Sequence, residues 1–187
     1  MKIILGILIL FFTFPTQDNI KMRWRNDNPL VWDDFRGKPT GSSEYVASTN
    51  SGISFSSSYK IREQQITLDY TITAFFYPEL SWYREGIVNN RILKHEQTHF
   101  NITELFARKL RKQLTKTSYT KNIQKEIEAI YQTIEKERQE LQHRYDYETE
   151  HSKNEEKEQQ WQFFIKTELK KLEDWNYRKT QTIISNV

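Results

Sequence analysis

Two patterns of apolar and polar residues follow one another along the chain. Between about residues 20 and 80 the two classes alternate, as in strands that bury one face. The alternation is most regular in residues 66–76 and recurs in residues 53–61, with the short polar link Arg62–Gln65 between them. The apolar face of the longer segment carries Ile66, Leu68, Tyr70, Ile72, Ala74 and Phe76. These two segments predict an antiparallel hairpin, and residues 30–37 predict a shorter strand that ends in a turn.

After Pro78 the pattern changes to the three- and four-residue spacing of helices. Glu, Lys, Gln and Leu dominate here, and Gly86 is the only glycine between residues 84 and 178. We expect three helices, at about residues 84–116, 120–150 and 154–176. The predicted fold class is therefore α+β, with an N-terminal antiparallel sheet packed on a C-terminal set of about three helices.

The first predicted helix contains the run His95-Glu96-Gln97-Thr98-His99, an HExxH pattern. Residues four apart on a helix lie on one face, so both imidazoles can reach one metal ion. Glu96 lies beside them, where a carboxylate can take a proton from water. The pattern is typical of a zinc-dependent hydrolase, and two solvated histidines beside a solvated glutamate are the alternative.

The two histidines continue an apolar stripe. That stripe consists of Ile92, His95, His99, Ile102, Phe106 and Leu110. A buried imidazole needs a partner, which a metal ion or a hydrogen bond can provide. Arg108, Lys109, Arg111 and Lys112 follow on the same helix, and we interpret them as a solvated face near its negative end.

A catalytic zinc ion usually takes three protein ligands. The apolar stripe of the second predicted helix ends in polar residues, so we expect the third ligand there. His151 is the first choice and Glu148 the second, while Asp146 is expected to orient a ligating imidazole. Tyr145, or else Tyr147, is the candidate for a hydrogen bond to the oxyanion.

Composition narrows the cellular context and the chemistry. The formal net charge of +3 is too small to indicate nucleic-acid binding. The chain has no cysteine, which leaves His, Asp and Glu as metal ligands. Residues 1–17 have the positive start and apolar run of a signal peptide, with an uncleaved anchor as the alternative. We therefore expect an exported protein, periplasmic or secreted, that contacts a membrane only if residues 1–17 are kept. Residues 18–187 are expected to form one domain, which is β-rich at 20–80 and helical at 84–178.

Three ordered segments resemble the bacterial DUF922 proteins, which have no established function. These segments are Trp32–Pro39, Leu93–Ile102 and Tyr145–His151. The family has glycine after the last histidine, where this chain has Ser152. The resemblance implies an envelope or secreted protein of the zincin-like metallopeptidase group, with zinc held by His95, His99 and His151 and with Glu96 as catalytic base. It implies no particular substrate.

The functional expectation is zinc-dependent hydrolysis of a peptide or protein substrate, held in extended form along the strand at 66–76. Two other classes stay open. One is a non-catalytic envelope protein that zinc stabilises and that binds a partner, and the other is an anchored helical adaptor without metal.

Overall fold

A computed structural model describes residues 21–186. Within this range the chain forms six strands and three long helices, in addition to three short 3-10 turns. The strands are β1 (Met22–Arg23), β2 (Ala47–Ser48), β3 (Ser51–Arg62), β4 (Gln65–Phe76), β5 (Trp82–Tyr83) and β6 (Gln181–Asn186), and the helices are α1 (Asn90–Lys116), α2 (Ile123–Thr149) and α3 (Glu155–Lys171). The α+β fold class is confirmed.

The sheet is built around β4. This strand pairs along its whole length with β3, from Ser51 opposite Phe76 to Arg62 opposite Gln65, so the predicted hairpin is confirmed. The other side of β4 pairs with β1 at one end and with β6 at the other. All these pairings are antiparallel, and the apolar residues of β4 are buried, as their alternation predicts.

Two expectations about the sheet are wrong, and one strand was not predicted. The segment 66–76 is interior to the sheet, so its backbone is not free to hold a substrate. The polar C-terminal stretch adds the strand β6, which its sequence did not reveal. A short segment at 32–34 forms a 3-10 turn instead of a strand. The backbone N–H of Val31 donates to the Asp34 carboxylate (2.9 Å), and Phe35 N–H donates to Trp32 O (3.0 Å), which together close the turn.

Helix α1 is the central helix, with sheet, α2 and α3 packed around it. Fifteen of its 27 residues are buried, compared with five of 27 in α2 and four of 17 in α3. It begins at Asn90 and not near residue 84, because the Asn89 side chain caps the backbone N–H groups of Arg91 and Ile92. The HExxH run thus lies in the second and third turns of a buried helix.

Helix α3 also ends earlier than expected, at Lys171. The segment predicted as a signal, residues 1–17, lies outside the described residues. No helix between residues 21 and 186 is long and apolar enough to cross a bilayer.

Candidate metal centre

The two histidines of the HExxH run point to one place. Their Nε2 atoms lie 3.2 Å apart, and the rings meet edge to face with centroids 4.8 Å apart. The side chains of His95 and His99 are 6% and 13% exposed. The helical spacing therefore brings both imidazoles to a single point at the edge of the core, as expected.

Asp146 of α2 supplies a third atom at the same point. Its Oδ1 lies 3.2 Å from His95 Nε2 and 2.9 Å from His99 Nε2. These three residues form a group of potential metal ligands within the described chain. Asp146, which we expected only to orient a ligand, thus takes the position that we had assigned to His151.

The two residues predicted as third ligand lie elsewhere. His151 is 51% exposed, and its Nδ1 lies 3.9 Å from Asp146 Oδ1, outside the converging group. Glu148 points toward α3, where its Oε2 accepts a hydrogen bond from Trp161 Nε1 at 2.9 Å. Within residues 145–151, where we expected the third ligand, the structure brings Asp146 to the two histidines, and not His151 or Glu148.

Two further side chains fix the orientation of the imidazoles. Glu158 of α3 accepts a hydrogen bond from His95 Nδ1 at 2.5 Å, and Gln142 of α2 accepts one from His99 Nδ1. The Gln142 amide is oriented because its Nε2 donates to the backbone oxygen of His99 at 2.9 Å. Since both Nδ1 atoms then carry the hydrogen of a neutral ring, both Nε2 atoms present lone pairs.

Three lone-pair atoms at such short range repel one another unless a positive charge lies among them. Atoms bound to one tetrahedral zinc at about 2.0–2.1 Å lie roughly 3.3 Å apart. The observed separations of 2.9 to 3.2 Å are close to that spacing. The donor set of two imidazoles and a carboxylate is also one that zinc favours. The residues present therefore fit a zinc ion.

The pKa shifts of the residues in this group also indicate that the site favours a positive charge. Burial disfavours the charged form of His95, yet its hydrogen bonds to Asp146 and Glu158 outweigh burial and raise its pKa to about 9. Burial likewise opposes ionisation of both carboxyls, but the imidazole contacts hold the pKa of Asp146 and of Glu158 below their usual range. In the metal-free protein a proton provides the charge that a cation would provide.

Glu96 lies next to this group and is itself 4% exposed. Its Oε2 is buried and has no hydrogen-bond partner among the described residues. An ionised carboxylate oxygen in that state is costly, so it indicates a site that water or a ligand completes. The backbone oxygen of Glu96 accepts a hydrogen bond from Thr49 Oγ1 at 3.2 Å, which ties this turn of α1 to the segment after β2.

A family comparison covers most of this arrangement. A family model described as "Bacterial protein of unknown function (DUF922)" matches residues 34–152, which is more than half of the chain. The chain belongs to the DUF922 family. No curated protein and no solved structure matches it. The matched region contains both histidines, Glu96, Asp146 and His151, and it ends before Glu158.

The departure of this DUF922 chain from the glycine that we expect after His151 has a structural consequence. Ser152 has a φ of 72°, a left-handed conformation that favours glycine. Glu150 and His151 precede it with φ values of 51° each, so three successive residues are left-handed. The turn that leaves α2 is therefore under backbone strain in this chain.

The tyrosines predicted to stabilise an oxyanion do not face the cleft. Tyr145 is buried, and its hydroxyl donates to Glu158 Oε2 at 2.7 Å while its ring stacks on His95 at 4.7 Å. Burial and the neighbouring Glu158 raise the pKa of Tyr145, so this hydroxyl stays protonated. Tyr147 is 82% exposed. In this DUF922 protein Tyr145 orients the carboxylate that orients His95.

A cleft of about 510 Å³ opens over the metal centre. One wall comes from residues 44–49, which include β2, and the other from the exposed edge of α2 and the turn after it. The converging atoms and Glu96 lie at its base. The cleft thus gives a ligand from solvent access to the site.

Sequence reasoning missed Glu158 and Gln142. Glu158 had a signal, because it starts the buried stripe of α3 that continues through Trp161, Ile165 and Leu169. A carboxylate on an apolar stripe indicates a buried partner. Gln142 is polar, partly exposed and next to Leu141, so nothing in its spacing distinguished it.

Proposed function

We propose that this DUF922 protein is a zinc-dependent hydrolase of the zincin-like kind that cleaves peptide bonds. One observation carries the proposal: His95, His99 and Asp146 bring three lone pairs within 3.2 Å of one another, beside the partnerless Oε2 of Glu96. In a purely structural cluster protein donors would meet these acceptors, whereas here the converging atoms need an added positive charge, from a proton or a metal ion.

His95, His99 and Asp146 would hold the ion, with Glu158 and Gln142 fixing the two rings. When bound, zinc supplies Lewis acidity, which polarises the scissile carbonyl and lowers the pKa of water to about 7. The protein's own part is to present neutral imidazoles and an ionised carboxylate in a fixed geometry. Glu158 and the hydroxyl of Tyr145 behind it perform that task for His95.

Glu96 is the general base. Its Oε2 accepts a proton from the attacking water and later delivers that proton to the leaving amine nitrogen. The position of Glu96, buried at the base of the cleft, keeps the proton away from bulk solvent. No other described residue of the cleft combines a buried carboxylate with an uncommitted oxygen.

The cleft favours an extended peptide as substrate. Within the part of the chain that the structure describes, β2 pairs with β5 on one side only. Residues 46–49 line the cleft, so the unpaired edge of β2 is the edge on which a substrate strand can add. Backbone pairing of this kind selects weakly among side chains, which suits a general peptidase. Export through residues 1–17 remains part of the proposal.

The test compares wild type with Glu96→Gln and, as a matched control, Glu148→Gln, which alters a glutamate directed away from the cleft. Each protein is loaded with one equivalent of zinc and incubated with a diverse peptide mixture, with and without a chelator. We expect cleavage by wild type and the control, at least a 100-fold loss in Glu96→Gln with zinc retained, and no cleavage after chelation.

Two results would contradict the proposal. Retained turnover in Glu96→Gln would remove the general base. Zinc binding without cleavage of any peptide would identify the other candidate class, a zinc-stabilised binding protein.

A further inference from the structure

The turn after α2 returns the chain to the metal centre. The backbone N–H of His151 donates to Asp146 O at 2.9 Å, and Asn154 N–H donates to Thr149 O at 2.9 Å. The three left-handed residues at 150–152 make this reversal possible. Left-handed residues other than glycine cost about 1 kcal/mol or more each, so the turn is retained against a local penalty.

The reversal places the His151 side chain at the rim of the cleft. Its ring meets the edge of Tyr45 across the cleft, with centroids 5.3 Å apart and planes at 87°. Among the described residues its ring nitrogens make no hydrogen bond, since the 3.9 Å from Nδ1 to Asp146 Oδ1 exceeds hydrogen-bond length. The imidazole therefore contacts Tyr45 and keeps both ring nitrogens free of hydrogen bonds within the described chain.

That same distance is too long for a fourth protein ligand. Atoms that share one tetrahedral zinc lie roughly 3.3 Å apart, and His151 is outside the converging group. Its position suits a hydrogen-bond donor to a substrate atom and not a residue that binds the metal directly. Since these two atoms are 3.9 Å apart, a substrate carbonyl oxygen has room to lie 2.7–3.1 Å from His151 Nδ1 while it is next to Asp146 Oδ1, and that is the range of an oxyanion-hole hydrogen bond.

We infer that His151 is a second catalytic residue, whose ring N–H donates a hydrogen bond to the oxyanion that develops on the scissile carbonyl. The inference rests on the proposed hydrolase function. It assigns to His151 the role that the buried hydroxyl of Tyr145 cannot fill. No proton is transferred in this step: the donor keeps its hydrogen, and the bond strengthens as negative charge grows on the oxygen.

The test uses His151→Ala and His151→Gln in the full chain, with Lys153→Ala as control. Lys153 is an exposed residue two positions after His151 that does not line the cleft. Three quantities are measured for each: zinc affinity by calorimetry, kcat and KM on a peptide that wild type cleaves, and the affinity of the zinc-loaded protein for a phosphinic peptide, whose tetrahedral anion resembles the transition state.

For His151→Ala we expect unchanged zinc affinity, unchanged KM, and a fall of about 100- to 1000-fold in kcat and in phosphinate affinity. His151→Gln should recover part of both, because its amide N–H can donate. The control should match wild type in all three quantities.

Loss of zinc affinity by more than 10-fold in His151→Ala would make His151 a ligand and overturn the inference. Unchanged kcat and phosphinate affinity in that variant would also overturn it, while leaving the hydrolase intact. If zinc-loaded wild type neither cleaves peptides nor binds the phosphinate, the proposed function fails together with this inference.

Discussion

Helix α1 carries two buried polar clusters that are built in opposite ways. We call the group His95, Glu96, His99, Asp146 and Glu158 the histidine cluster. With neutral imidazoles it contains three carboxylates and no cation, a formal charge of −3, and the partnerless oxygen of Glu96 lies within it. Its converging Nε2 and Oδ1 atoms all present lone pairs.

The second group, the arginine cluster, begins two turns further along the same helix. Glu104 Oε1 accepts from Arg108 Nε at 2.9 Å and from Arg111 Nη1 at 3.1 Å. Other guanidinium nitrogens donate to backbone oxygens, Arg108 to that of Leu169 and Arg111 to those of Trp175 and Ile72. Among the fully buried side-chain atoms of this cluster in residues 21–186, Arg111 Nε alone lacks a partner. Donors meet acceptors here, and the cluster joins α1 to α3 and to β4.

The comparison separates a structural role from a functional one. The arginine cluster is almost complete without any ligand, so its removal should affect folding. The histidine cluster is complete only with a bound positive charge, so its removal should affect ligand binding first. Burial alone distinguishes them less clearly, since His95, Glu96 and Glu158 are as buried as the arginine cluster and only His99 and Asp146 are partly exposed.

The largest effect should come from the arginine cluster. Glu104→Gln leaves two buried guanidinium groups without a counter-charge, and we expect the free energy of unfolding to fall by about 3–5 kcal/mol. Urea denaturation of the metal-free protein measures this. Glu140→Gln, in an exposed pair with Lys136, should change it by less than about 0.5 kcal/mol. If Glu104→Gln lowers the free energy of unfolding by less than about 1 kcal/mol, the arginine cluster does not have the structural role that distinguishes it from the histidine cluster.

An intermediate effect should follow from weakening the support of one imidazole. Glu158→Gln keeps the shape of the side chain but removes the charge that His95 Nδ1 contacts, so zinc affinity should fall about 10- to 100-fold. Competition with a chromogenic chelator measures it. Glu156→Gln, exposed on the same helix, is the control and should bind zinc like wild type. Equal affinities in all three proteins would show that Glu158 does not support the site.

The smallest effect concerns the strained turn, a feature that the arginine cluster lacks. Ser152→Gly relieves a φ of 72° and should raise the free energy of unfolding by about 0.5 kcal/mol, since relief of strain exceeds the added freedom of the unfolded chain. Lys153→Gly, outside the left-handed run, should lower it instead. Destabilisation by both changes would show that the turn stores no strain.

Much of the fold could be predicted, because alternation and helical spacing are local properties. The buried face of β4 and the apolar stripe of α1 lie where their spacing placed them. The interpretation of Arg108 and Arg111 as a solvated face was wrong, because α3 and the turn after it cover that side of α1. The strand β6 was missed because its pairing with β4 joins residues more than a hundred positions apart.

The site shows the same division between local and distant information. The two histidines and Glu96 follow from one helical turn. The third member of the converging group depended on where α2 ends and how it is rotated. The helix stops at Thr149, so His151 leaves its face while Asp146 stays on it. A rotation of one residue, about 100°, exchanges Asp146 for its neighbours. Spacing alone does not fix such a rotation.

The most direct test of the central claim is zinc stoichiometry by calorimetry and mass spectrometry on wild type, Asp146→Ala and Glu148→Ala, each verified as folded by circular dichroism. We expect one zinc per chain for wild type and Glu148→Ala, and less than 0.1 per chain for Asp146→Ala at an equal protein and metal concentration, on the order of a 100-fold loss of affinity. Full zinc retention in Asp146→Ala, or none in folded wild type, would contradict the account.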